Sequence, residues 1–152
     1  MDQQKRELVL LDYDKTQNFI DKIDEFLFRI RNWALIAASG VIAYAVSNKN
    51  APILIANIFI IVGFMAIELC WKSFHEDALA KGSDLEKLID QYLLKGKPLP
   101  TTYRFGIGEA IHTVSLKRMV RILLNLGRWH NLAFYLLLAL ASVGAWLVIA
   151  AT

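Results

Sequence analysis

The stretch LAFYLLLALASVGAWLVIAA, Leu132 to Ala151, runs for 20 residues without a charge. As a helix it is long enough to cross the roughly 30 Å of bilayer hydrocarbon, which takes about 17–25 apolar residues. Two more apolar blocks lie upstream. Ile53–Trp71 carries one acid, Glu68, near its end. Trp33–Val46 has 14 residues, about 21 Å of helix. It reaches across if Phe26, Leu27, Phe28 and Ile30 extend it while Arg29 and Arg31 snorkel. Only Ser47-Asn48-Lys49-Asn50-Ala51-Pro52 separates the first two blocks. That linker reads as a tight helical hairpin turn, with Pro52 at the first turn of the next helix.

These blocks explain the composition. Of the 152 residues, 56% are apolar and 20% charged, and the mean hydropathy is +0.40. Such a composition excludes a disordered chain, a collagen-like chain and a disulfide scaffold. It speaks against an ordinary water-soluble enzyme. The single Cys70 forbids an internal disulfide and suits a reducing cytosolic face. The expected fold is all-α: an integral membrane protein with a two-span hairpin, a C-terminal span and long cytosolic helical extensions.

Basic residues orient the spans. Of the 17 Lys and Arg, six lie in segment 1–32, one (Lys49) in the hairpin turn, ten in 72–128 and none after the third span. One arrangement satisfies this bias: N-terminus inside, turn outside, middle segment inside, C-terminus outside. Both basic segments then lie in the cytosol, as expected of a multi-pass membrane protein. No cleavable signal peptide is expected, because 32 mostly polar residues precede the first block.

Outside the spans, residues 12–32 place Phe19, Ile23, Phe26, Ile30 and Trp33 at helical spacing. Asp14 and Gln17 resemble a capping signal, and Glu25–Arg29 stand in the favourable i, i+4 order. A helix from there should run unbroken into the span at 33–47. The second span, 53–71, should likewise continue outward until Gly82 ends it. Ser83 and Glu86 would cap a further helix within segment 72–95. Residues 96–108, with two prolines and three glycines, read as a loop. A basic amphipathic helix is expected over 109–127 and the last span over 129–151. On that amphipathic helix Lys117, Arg118 and Arg121, with Arg128 beyond, either contact lipid headgroups or simply enforce topology.

The catalytic and metal-binding motifs tested are incomplete. Gly106-Ile107-Gly108 lacks the third glycine of a dinucleotide fingerprint. His75-Glu76 has Leu79 where a zinc motif needs its second histidine. Glu109 and His112 form one Glu-x-x-His pair where a di-iron bundle needs two. No catalytic residues, metal or cofactor are expected, and the basic residues answer to topology rather than nucleic acid.

The second span carries a stripe. Asn57, Ile61, Phe64, Glu68 and His75 return to one side of a helix, within about 20° at each repeat. Polar groups on a span face a helix interface or a watery lumen, because charge against lipid costs about 2.5–3.5 kcal/mol or more. These residues are therefore candidates to line a pore. The alternative is that Glu68 sits at the headgroup boundary, paired with Lys72. Small residues four apart, Ala34 with Ala38 and Ala141 with Ala145, would let helix backbones approach.

A resemblance rests on this architecture. An amphipathic helix enters a tight hairpin through Phe28-Arg29-Ile30-Arg31-Asn32-Trp33-Ala34-Leu35, and the hairpin leaves into further helix. Over residues 12–95 the chain resembles the SLATT-type effectors of bacterial anti-phage systems and the small pore-forming accessory proteins of Cas13b CRISPR systems. The third span departs from the two-span SLATT pattern. Arg104–His112, Arg121–His130 and Arg128–His130 lack the spacing of the ribonuclease motif that some Cas13b accessory proteins carry, so no nuclease activity is implied. The resemblance implies a homo-oligomer in the bacterial inner (plasma) membrane that permeabilises or depolarises it when a cytosolic defence protein signals. The competing expectation is a non-conducting anchor or regulatory subunit that recruits a cytosolic partner to the bilayer.

Overall fold

The computed structural model describes residues 3–95, 105–111, 115–124 and 129–151. Among the described residues there are four α-helices and no strand. They are α1 (Gln3–Ser47), α2 (Ile53–Ile89), α3 (Leu116–Leu124) and α4 (Trp129–Ala151). Three of them, α1, α2 and α4, are long and apolar enough to cross a membrane. The chain is an all-α membrane protein.

The first two helices form an antiparallel hairpin. At 45 residues, α1 is about 67 Å long. Its inward positions recur every three or four residues: Val9, Asp12, Thr16, Ile20, Ile23, Leu27, Ile30, Ala34 and Ala38 are all buried. On α2 the matching buried series is Leu54, Asn57, Ile61, Glu68, Ala78, Gly82 and Leu85. Both series follow a seven-residue repeat, the pattern that keeps one seam facing a partner helix over many turns. Each helix therefore passes from polar surroundings into the apolar block without a break.

The turn between them is closed by backbone hydrogen bonds. Asn50 N donates to Ala45 O (2.9 Å) and Lys49 N to Val46 O (3.3 Å). That pair of bonds is a Schellman motif. It requires a left-handed residue at the position Lys49 occupies, and Lys49 has φ 49°.

Several boundaries differ from the sequence expectation. The first helix begins at Gln3, not near residue 12, because Val9 and Asp12 already belong to the seam. Asp14 therefore lies inside a helix and caps nothing. Gly82 does not end α2. It sits on the seam, where an added Cβ would lie 3.6 Å from Gln17 Nε2 and from Ile20 Cδ1. Packing against α1 outweighs the local stop signal at Gly82-Ser83. The helix continues to Ile89 and finishes in one π-helical turn, Asp90–Leu94. Residues 96–104 of the expected loop lie outside the described residues. Of the expected helix 109–127, the described residues show a single 3-10 turn, Ile107–Glu109, and regular helix over Leu116–Leu124; 112–114 and 125–127 lie outside the described residues. The last span agrees with expectation.

The third span packs alongside both arms of the hairpin. Tyr135 and Leu138 of α4 join Ala34, Ala38 and Ile61 in one buried cluster, with Ile58, Phe64, Met65 and Phe134 against it. A second cluster of Ile23, Leu27 and Ile30 sits beyond it, flanked by Phe19, Phe26, Trp71 and Phe74. Phe26 bridges Trp33 and Trp71, at centroid distances of 6.2 and 4.6 Å.

Candidate functional site

Polar contacts tie the bundle at successive levels along the helices. The one nearest the hairpin turn centres on Asn57. Its Nδ2 donates to Ser142 Oγ (2.9 Å) and to Ala38 O (3.3 Å). Ser142 in turn donates to Leu138 O at 3.0 Å. One amide side chain thus joins all three spans. Its Oδ1 has no partner among the described residues.

The second level is the strongest. Glu68 is 1% exposed and accepts from three elements. Arg31 of α1 approaches as a fork, Nη2 to Oε1 at 2.7 Å and Nε to both oxygens at 3.2 Å. Lys72, one turn along α2, places Nζ 2.6 Å from Oε1. Tyr135 of α4 donates its hydroxyl to Oε2 at 2.7 Å. A carboxylate buried without such donors would be prohibitively costly, so the four groups stand or fall together. Beside them lies a cavity of about 20 Å³ lined by Met65, Glu68, Leu69, Lys72, Leu123, Leu132 and Tyr135. That is room for one water molecule.

The third level fixes α3. Arg118 sends Nη1 to Asp77 Oδ2 (3.0 Å) and Nη2 to Asp77 Oδ1 (2.5 Å). The same Nη2 reaches Ser73 O at 3.0 Å. The hydrogen bonds to Asp77 raise the already high pKa of this guanidinium, so Arg118 stays charged at physiological pH. The fourth level holds residues 105–111 against the hairpin. Lys81 Nζ lies 3.2 Å from Asp12 Oδ2 and donates to Gly106 O at 2.7 Å. Gly106 N donates to Asp12 Oδ1 at 3.1 Å. Gly106 adopts φ 97°, a conformation open to glycine.

These contacts relocate the expected site residues. Asn57, Ile61 and Glu68, expected to line a pore, are 0%, 3% and 1% exposed inside the protomer. Phe64 is partly buried against both apolar clusters. His75 Nε2 lies 3.2 Å from Asp24 Oδ1, too poorly aligned for a hydrogen bond. The stripe therefore faces the chain's own helix interface, and none of its polar groups fronts a lumen in this arrangement. Arg31 does not snorkel outward; it turns in to Glu68. The Glu68–Lys72 pair does form, as one part of the larger cluster.

Of the expected headgroup residues, Arg118 is turned inward to Asp77. Lys117 and Arg121 are exposed, and Arg128 lies outside the described residues. Ala34 and Ala38 are fully buried where the spans meet. Ala145 is partly buried, whereas Ala141 points away from the bundle. The α4 seam is carried instead by Tyr135, Leu138 and Ser142, which recur three and then four residues apart.

Arg31 and Tyr135 were missed as partners of Glu68. Nothing local signals them, since they lie 37 and 67 residues away. A usable signal existed in the shared heptad, because Tyr135 and Ser142 are seven apart, as are Arg31 and Ala38.

Among the described residues, no group of three or more His, Cys, Asp and Glu side chains could hold a metal ion. No protein-family model, curated protein or solved structure matches the chain.

Proposed function

We propose that the protein is a bacterial inner-membrane effector that assembles as a homo-oligomer and permeabilises the membrane when a cytosolic partner engages it. The observation that carries this reading is the continuity of α1 and α2. About 28 residues of α1, some 42 Å, project beyond the Arg31–Glu68 level as half of a two-helix stalk. Asp12–Lys81 clamps that stalk to its partner arm, while Arg31–Glu68 at its base and Ala38–Asn57 within the spans tie the same two helices together. A push on the stalk is therefore felt at the packing of the spans. Charge bias supports the orientation, with stalk and α3 in the cytosol and the hairpin turn outside. The resemblance to the SLATT-type and Cas13b-accessory proteins supports the anti-phage setting.

The polar stripe enters this proposal in a changed role. At rest it is a clasp that holds three spans together, and a lumen would form between protomers, since three spans cannot enclose one. A single carboxylate shared by two cations and a phenol is an arrangement that can exchange partners when helices shift. Ionisable groups within spans commonly mark such working sites.

One observation favours a second reading, the non-conducting anchor or regulatory subunit. Asn57, Glu68 and Ser142 are all buried within one chain, leaving Ile36, Phe59, Leu137 and Leu140 among the large apolar groups on the outside. A membrane-potential dye separates the two readings in bacteria expressing the full chain. Assembly follows mass action, so high expression stands in for the partner. The effector depolarises cells as expression rises. A retained potential at high expression, with a monomer in detergent, supports the anchor.

A further inference from the structure

We propose that the outward face of α3 is a binding surface for anionic phospholipid headgroups in the leaflet on the stalk side. The first ground is depth. Fifteen residues separate Ile53 from Glu68, and sixteen separate Ser47 from Arg31 and Ala151 from Tyr135. The Glu68 level therefore lies about 22–24 Å from the hairpin-turn end of all three spans. A hydrocarbon core of about 30 Å then ends some 6–8 Å further along, close to Lys72 and Ser73 on α2. That is where α3 is fastened. Arg118 binds Ser73 O and Asp77, and Leu123 reaches down to the cavity beside Glu68 and Lys72. The helix thus stands astride the hydrocarbon edge.

The second ground is what α3 shows to its surroundings. With Arg118 and Ile122 turned toward α2, the opposite side presents Leu116 at 77% and Val120 at 43% exposure. Lys117 and Arg121, one turn apart, form a basic ridge beside them. A leucine standing free in water gains nothing from burial, whereas at the edge of the acyl chains it is solvated by lipid. Basic residues on such a helix then lie level with headgroup phosphates, the arrangement of an interfacial amphipathic helix. Positive-inside bias alone would explain the charges but not the apolar pair beside them. The proposal rests on the three spans and their depth, and it holds whether or not the spans conduct.

The test uses the full chain in nanodiscs of mixed phosphatidylcholine and phosphatidylglycerol. Native mass spectrometry then compares how much of each lipid stays bound on release. The wild-type chain should retain phosphatidylglycerol preferentially. Lys117→Gln with Arg121→Gln should lower that preference by roughly fivefold for each charge removed, the factor expected for one basic residue at an anionic surface. A matched control, Lys15→Gln with Lys87→Gln on the stalk, should leave it unchanged. Higher salt during reconstitution should weaken the wild-type preference and not that of the double variant. The proposal is overturned if the wild-type chain shows no preference, or if Lys117→Gln/Arg121→Gln retains it in full. Because both nanodisc leaflets are alike, the outcome does not depend on membrane orientation or on permeabilisation.

Discussion

Glu68 and Asn57 both join three helices, yet they differ in energetic standing. Glu68 is a charge held by charges, and hydrogen bonds to charged groups are worth about 1.5–3 kcal/mol each. Asn57 is neutral, and hydrogen bonds between spans average about 0.6 kcal/mol. Removing the Tyr135 hydroxyl with Tyr135→Phe should therefore cost about 1.5–3 kcal/mol. Asn57→Leu should cost less than Tyr135→Phe, because it also eliminates an unpartnered buried oxygen. Unfolding in graded detergent, followed by circular dichroism, would rank the two, and the reverse order would contradict the assignment of Glu68 as the main clasp. The pairing of Glu68 with Lys72 is readable from four-residue spacing. The meeting with Arg31 and Tyr135 is not, because it depends on how helices far apart in sequence come into register.

At the scale of elements, the hairpin shows long-range packing overriding local signals. Gly82 followed by Ser83 and Glu86 reads as a stop and a restart, and a lone helix would obey it. Here the heptad continues through Ala78, Gly82 and Leu85, and the α1 partner keeps the helix intact. An added Cβ at Gly82 meets its neighbours at ordinary contact distance. Gly82→Ala should thus stabilise the stalk by about 0.5–1 kcal/mol through lower backbone entropy in the unfolded chain. A fall in stability on thermal unfolding would show that α1 and α2 approach more closely than described. The short α3 depends on its Arg118–Asp77 fork. Asp77→Asn should release it, seen as faster amide exchange over 116–124 with little change in α1. Unaltered exchange there would mean that Ile122 and Leu123 suffice to hold it.

For the whole molecule, the three spans were legible because a bilayer sets a length and a polarity that few soluble segments imitate. Trp33–Val46 was the least certain of them, being only 14 residues by composition. The structure resolves that shortfall. Arg31 is paired within the bundle to Glu68, so the span does not have to end at the first arginine. What the sequence could not separate was a polar stripe that lines a lumen from one that locks a bundle, since both need the same residues at the same spacing. The positions of α1 and α4, which cover the stripe with Arg31, Ala38, Tyr135 and Ser142, distinguish them. Under the proposed effector function, permeabilisation would arise between protomers and would depend steeply on their density. The most direct measurement is potassium efflux from liposomes reconstituted with the purified full chain at increasing protein-to-lipid ratio. The account predicts efflux that rises more steeply than in proportion to protein, as assembly of several copies demands. Efflux no greater than from protein-free vesicles, at every density, would contradict it and leave the chain as a membrane anchor.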